Sequence, residues 1–216
     1  YNPRQGGILG AGYMSYIGST GLVDRGVLGV PGTPFALVMS RSLDFSGYDT
    51  LLLLNFYNNR HVRILLSLVQ MAWDSAEASG HLAPPIHERT PPLLLQAGLG
   101  DPIVPTIAAE ALARSLNAST LPGNPRSIFG VHTSEAANTE DSDATWHGPR
   151  ITLTELLYES AYDSLPLDNT FAERNAVHIC VRRDAALIGQ IEEFINSGRV
   201  IDPCEIDHCR RIDALC

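Results

Sequence analysis

Asp101 and His178 are the residues of this sequence best suited to paired acid–base chemistry. Asp101 follows a compact apolar run, Pro92-Leu93-Leu94-Leu95-Gln96-Ala97, in the turn Gly98-Leu99-Gly100-Asp101-Pro102. His178 follows the segment from Thr170 to Val177, which reads as strand-like. In a parallel sheet both positions open onto one edge, so an acid and an imidazole distant in sequence can meet there. The carboxylate would fix the imidazole tautomer, and the imidazole would act as general base and then general acid. An ordinary structural role fits the same residues. Asp101 can cap the helix that begins near Pro105, and His178 can be a hydrogen-bonded loop histidine. His61, His81, His87, His132, His147 and His208 have no comparable context.

The four cysteines divide unevenly. Cys204, Cys209 and Cys216 lie close together at the C-terminal end, and Cys180 stands two residues beyond His178. Cys204 and Cys209 are spaced to close a small disulfide loop that staples the segment after Gly198. Cys216 then remains for another partner. A metal set drawn from Cys204, His208, Cys209 and Cys216 lacks a second well-spaced ligand pair, so no metal is assigned. Cys180 reads as a buried structural thiol, because it follows His178 too closely to complete a preformed catalytic array. Asn117-Ala118-Ser119 is a glycosylation sequon only if the chain enters a secretory pathway.

Holding Asp101 and His178 together requires strands and helices in alternation. Gln5–Ile17 has the small and apolar residues of a helix packed closely on a sheet, and Val23–Pro31 reads as a short strand closed by proline. Thr50–Glu77 reads as the longest helical stretch, with Val62, Leu65, Leu66, Val69 and Trp73 on one face. Pro92–Ala97 is a buried strand, and Val104–Leu116 is a helix opened by Pro105. Asn124–Arg150 is a polar excursion, Ile151–Tyr158 alternates as a strand, and Arg183–Ser197 is a final helix stopped by Gly198. The pattern is that of an α/β fold with a parallel sheet.

Composition narrows the function. The 216 residues carry 15 Lys and Arg against 24 Asp and Glu, a formal charge of -9. That surplus of acid disfavours a phosphate-backbone partner, so no nucleic acid is expected. Leu51–Leu54, the longest aliphatic run, is far below the roughly 20 residues of a membrane span. No signal peptide stands at the start, which reads as a processed or trimmed end.

An ordered set of short blocks runs along the chain. They are Gln5-Gly6-Gly7-Ile8-Leu9-Gly10, Arg25-Gly26-Val27-Leu28-Gly29-Val30-Pro31, Met71-Ala72-Trp73-Asp74, Gly100-Asp101-Pro102-Ile103-Val104 and Val177-His178-Ile179-Cys180-Val181-Arg182-Arg183. In these blocks the chain resembles the C-terminal half of an α/β-hydrolase, particularly bacterial secreted or envelope esterase-like proteins. The resemblance implies that residues 1–216 form the later part of one such domain. A helical lid would occupy 34–90 and a cysteine-containing tail 199–216. It implies parallel strands near Val27, Leu94 and Leu153, a three-strand remnant with one sheet edge and apolar faces exposed. The family's early strands would lie outside this sequence. It further implies Asp101 and His178 as triad acid and base, no cofactor, and an oxidising, envelope or extracellular compartment.

The family's Gly-x-Ser-x-Gly elbow matches Asn2-Pro3-Arg4-Gln5-Gly6, where only the last glycine agrees. Arg4 stands at the nucleophile position and offers no hydroxyl to acylate. Gln5 keeps the position whose backbone N–H would face an oxyanion. Ser15, along the following helix, would stand roughly 16 Å away at 1.5 Å per residue, and Ser19 is further still. The expected function is a degenerate, non-catalytic structural or binding component. The alternative is a serine esterase or lipase-like hydrolase whose nucleophile lies in a missing or altered segment. Expected partners are an N-terminal half of the same fold, another subunit or a second copy, with a small ester or acyl ligand if the chain is active.

Overall fold

The computed structural model describes residues 7–17, 20, 22–82, 90–134, 151–158, 174–204 and 209–211. Three parallel strands form its centre: β1 (Gly26–Gly29), β2 (Leu93–Gly98) and, beyond two short strands in sequence, β5 (Ile151–Tyr158). β3 (Ser119–Thr120) and β4 (His132–Thr133) continue the order as β1-β2-β5-β3-β4, and β6 (Arg210–Arg211) pairs with the far end of β5. Leu93 lies opposite Gly26 on one side and Ile151 on the other, so β2 is central. Among the described residues the sheet therefore has six strands rather than three. The three additional strands are only two residues long, too short to leave a pattern in sequence.

Helices cover both faces of the sheet, so the expectation of exposed apolar faces does not hold for it. On one face α1 (Gly7–Ile17) and α5 (Thr106–Ser115) pack Ala11, Met14, Ala109 and Leu112 against Leu28, Leu93, Leu95 and Leu153. On the other, α7 (Ala185–Ser197) places Phe194 against Leu94 and Leu121. A parallel strand sandwiched in this way is buried along its whole length. That is why all eight residues of β5 are buried instead of alternating. On the α7 face two buried glutamines are paired. Gln96 Nε2 donates to Leu187 O and Gln190 Oε1, and Gln190 Nε2 donates to Thr154 Oγ1 and Ile201 O. Asp184 caps the start of α7 and Gly198, at φ 83°, ends it. This is an α/β fold with a parallel sheet and flanking helices, the general α/β-hydrolase-like architecture.

Between β1 and β2 the chain forms α2 (Phe35–Met39), α3 (Ser46–Phe56) and α4 (Asn59–Trp73). The long helix expected over Thr50–Glu77 is thus two helices. Tyr57 adopts a left-handed φ of 53°, and the Asn58 side chain accepts from Arg60 N to start α4. Val62 and Leu66 face inward as their spacing implies. The α4 end is anchored by Glu77, a fully buried carboxylate that accepts from Thr33 Oγ1 at 2.7 Å and from Gln70 Nε2 and Ser79.

Cys204 and Cys209 form a disulfide, with Cα atoms 4.8 Å apart. Their sulfurs are bonded to one another, so neither offers the thiolate a metal would need. The loop leads directly into β6, where Leu157 N donates to Cys209 O and Arg211 Nε donates to Asp184 Oδ2 at 2.8 Å. Cys180 is buried as expected but is disulfide-bonded rather than a thiol. His208 and Cys216 lie outside the described residues. For a loop this short, the paired Cys204→Ser, Cys209→Ser variant should lose about 2 kcal/mol of unfolding free energy in urea. A loss below about 0.5 kcal/mol would show that β6 and the Arg211–Asp184 pair hold the segment without the cross-link.

Candidate functional site

The turn after β2 is built to present a carboxylate. Gly100 takes a left-handed φ of 75°, open to glycine at little cost. Thr106 Oγ1 donates to Gly98 O at 2.7 Å and accepts from Gly100 N at 3.1 Å, tying the start of α5 to the strand end. Asp101 follows, with its side chain 1% exposed. Its Oδ1 accepts from Ile103 N at 2.8 Å and Val104 N at 2.9 Å. The side chain therefore closes the turn ahead of α5 instead of capping the helix, whose N-cap is Pro105.

The other oxygen is the chemical one. His178 Nδ1–H donates to Asp101 Oδ2 at 2.8 Å, with the imidazole 15% exposed. Among the described residues no other hydrogen bond to the ring occurs. A neutral imidazole bonded this way carries its proton on Nδ1 and leaves Nε2 as an acceptor.

His178 lies on α6 (Val177–Val181), a short helix rather than the end of a strand. Residues 170–173 lie outside the described residues. The seat of α6 is Gly98. A Cβ there would stand 2.3 Å from Val177 Cγ1 and 2.6 Å from Val181 Cγ2, so only a bare backbone lets the helix settle on the strand end. Asn175 fixes its entry. Its Oδ1 accepts from Val177 N at 3.0 Å, and its Nδ2 donates to Gly100 O at 2.9 Å. Asn175 was not picked out from sequence, although Asn two residues before a short helix is a recognisable turn signal.

A second group near the end of β5 also escaped the sequence. Glu155 is fully buried; Arg126 Nε reaches its Oε2 at 3.4 Å, and its backbone N–H donates to Asn124 Oδ1 at 2.9 Å. Arg126 also pairs with Glu110 on α5. Burial pushes the Glu155 carboxyl up to about 7; Arg126 opposes the shift, and the Glu110 charge adds to it. Nothing in the local pattern of β5 distinguishes this glutamate from an exposed one.

The structure thus brings Asp101 and His178 into contact at the carboxyl edge and sets Cys204–Cys209 in the adjoining C-terminal segment. Arg4 and Gln5 lie outside the described residues. The helical segment after β1 touches the same edge, where Leu43 N donates to Pro102 O at 2.8 Å. An aspartate–imidazole pair of this kind can hold and move a proton at Nε2. Acyl transfer would need a nucleophile within hydrogen-bond reach of that atom. Comparisons of the chain with family models, with curated proteins and with solved structures return no match.

Proposed function

We propose that the chain is a degenerate α/β-hydrolase-like component that binds at its carboxyl edge without forming an acyl-enzyme. One conjunction carries this reading. An oriented Asp101–His178 pair stands at that edge, while the sequence has Arg4 where the resemblance places the serine. A guanidinium stays protonated across the working pH range and has no hydroxyl to activate, so the imidazole has no alcohol to deprotonate there. The pair then serves recognition and local order.

The 2.8 Å contact itself favours a second reading, a serine ester hydrolase whose nucleophile lies elsewhere in the intact protein. The two are separated by a fluorophosphonate probe and an activated short-chain ester. On the first reading the chain shows neither labelling nor turnover above that of His178→Ala. Labelling at a serine with ester turnover that His178→Ala abolishes would overturn it and establish the second.

A further inference from the structure

We propose that the outer face of the α3–α4 hairpin is a docking surface for an anionic phospholipid bilayer. α3 is apolar around most of its circumference, including Leu51–Leu54, yet none of its residues is buried. A helix of that composition belongs in a core or a lipid phase. α4 buries Val62 and Leu66 and presents a second apolar stripe on the opposite side, Ile64, Leu68 and Met71. These three, with Tyr48, Leu51 and Leu54 of α3, are exposed by 50% (Ile64) to 72% (Met71). The inner side is meanwhile fixed to the sheet through Thr33–Glu77 and Leu43–Pro102.

Charge selects the occupant. In a chain of net charge -9, α3 and α4 together carry one acid, the half-buried Asp49 in the first turn of α3, against Arg60, His61 and Arg63, all exposed. Arg60 falls in line with Ile64 and Leu68 at helical spacing, so cation and apolar stripe share one face. Two copies meeting about a two-fold axis would set these cations against each other with no acid in the stripe to answer them. Anionic headgroups would neutralise them, while the apolar side chains enter the acyl boundary. At eleven residues α3 is about 16 Å long, against a hydrocarbon core of about 30 Å. It is suited to lie in the interface and not to cross it. Among the described residues no helix is long and apolar enough to span a membrane.

The test is sedimentation of the full chain with vesicles of phosphatidylcholine alone and of phosphatidylcholine with 30% phosphatidylglycerol. Binding is expected on the anionic vesicles and at least about tenfold weaker on the neutral ones. Leu54→Glu with Leu68→Glu should weaken it about 100-fold, and Arg60→Gln with Arg63→Gln roughly 30-fold. All four positions are exposed, so near-ultraviolet dichroism and the thermal transition should stay as in the parent. No sedimentation with either vesicle, equal binding to both, or binding unchanged in both variants would overturn the proposal. So would a doubled mass in vesicle-free solution that Leu54→Glu with Leu68→Glu abolishes, since that assigns the face to a second copy. The readout is binding, independent of any chemistry at His178.

Discussion

Asp101→Ala is expected to destabilise the chain by about 4 kcal/mol, the largest loss from any single side chain at the carboxyl edge. The substitution removes three acceptor contacts from a carboxylate that is almost wholly buried. Two are to the backbone N–H groups of Ile103 and Val104, and Val104 is buried. Alanine strands those donors at about 1–3 kcal/mol each and leaves the imidazole unpaired. Asp101→Asn separates the two halves of the effect. Its amide oxygen still accepts from Ile103 and Val104, so the expected loss is only about 1 kcal/mol. Its NH2, however, faces His178 and should drive the ring to the tautomer protonated at Nε2. Urea unfolding measures the first quantity and nitrogen shifts of the His178 ring the second. If the Asn variant proves as unstable as the Ala variant, the contact with His178, and not the turn, carries the energy.

Glu155→Gln should remove a pH dependence worth about 3 kcal/mol between pH 4 and 8. In the unfolded chain this carboxyl titrates near its ordinary value of 4.5, whereas in the fold it is raised to about 7. The folded state therefore holds a proton that the unfolded state gives up as pH rises between those values. The group's contribution is fully present below pH 4.5 and is lost as pH rises through about 7. The difference of some 2.5 units corresponds to about 3 kcal/mol. Glutamine cannot titrate, so its stability should fall less than the parent's from pH 4 to 8. Any offset from placing an amide beside an Oε1 position that has no hydrogen-bond partner is common to both pH values and cancels in the comparison. Parallel parent and variant profiles would mean that Arg126 keeps Glu155 ionised throughout.

The central strands were legible because their composition admits little else. Leu93-Leu94-Leu95 beside Gly98 and Gly100 reads as a buried strand running into a turn, and Asp101 beyond it falls at the edge where the structure has it. Pro105 and Gly198 mark a helix start and a helix end as their backbone preferences require. The break at Tyr57-Asn58 was missed because the apolar run on both sides continues the helical period, while Asn58 competes through a cap visible only with Arg60 N in place. The seat of α6 on Gly98 is a contact between segments distant in sequence, and no local pattern encodes it. The same holds for Glu155, whose burial depends on α5 and on the Asn124–Arg126 loop closing over it.

The division of labour between the two oxygens of Asp101 bears on how such a centre decays. Oδ2 faces the imidazole, but Oδ1 fastens the turn that leads into α5. A lineage that ceased to use the imidazole would still be selected to keep the carboxylate, because losing it endangers folding itself. Nothing of the kind protects an exposed nucleophile, whose replacement leaves the core untouched. Inactivation along such a path would be one-sided, with the serine free to drift while the aspartate is kept for the turn. On the degenerate reading proposed above, the Asp101–His178 geometry would be held in place by stability, and activity has to be measured at the third position.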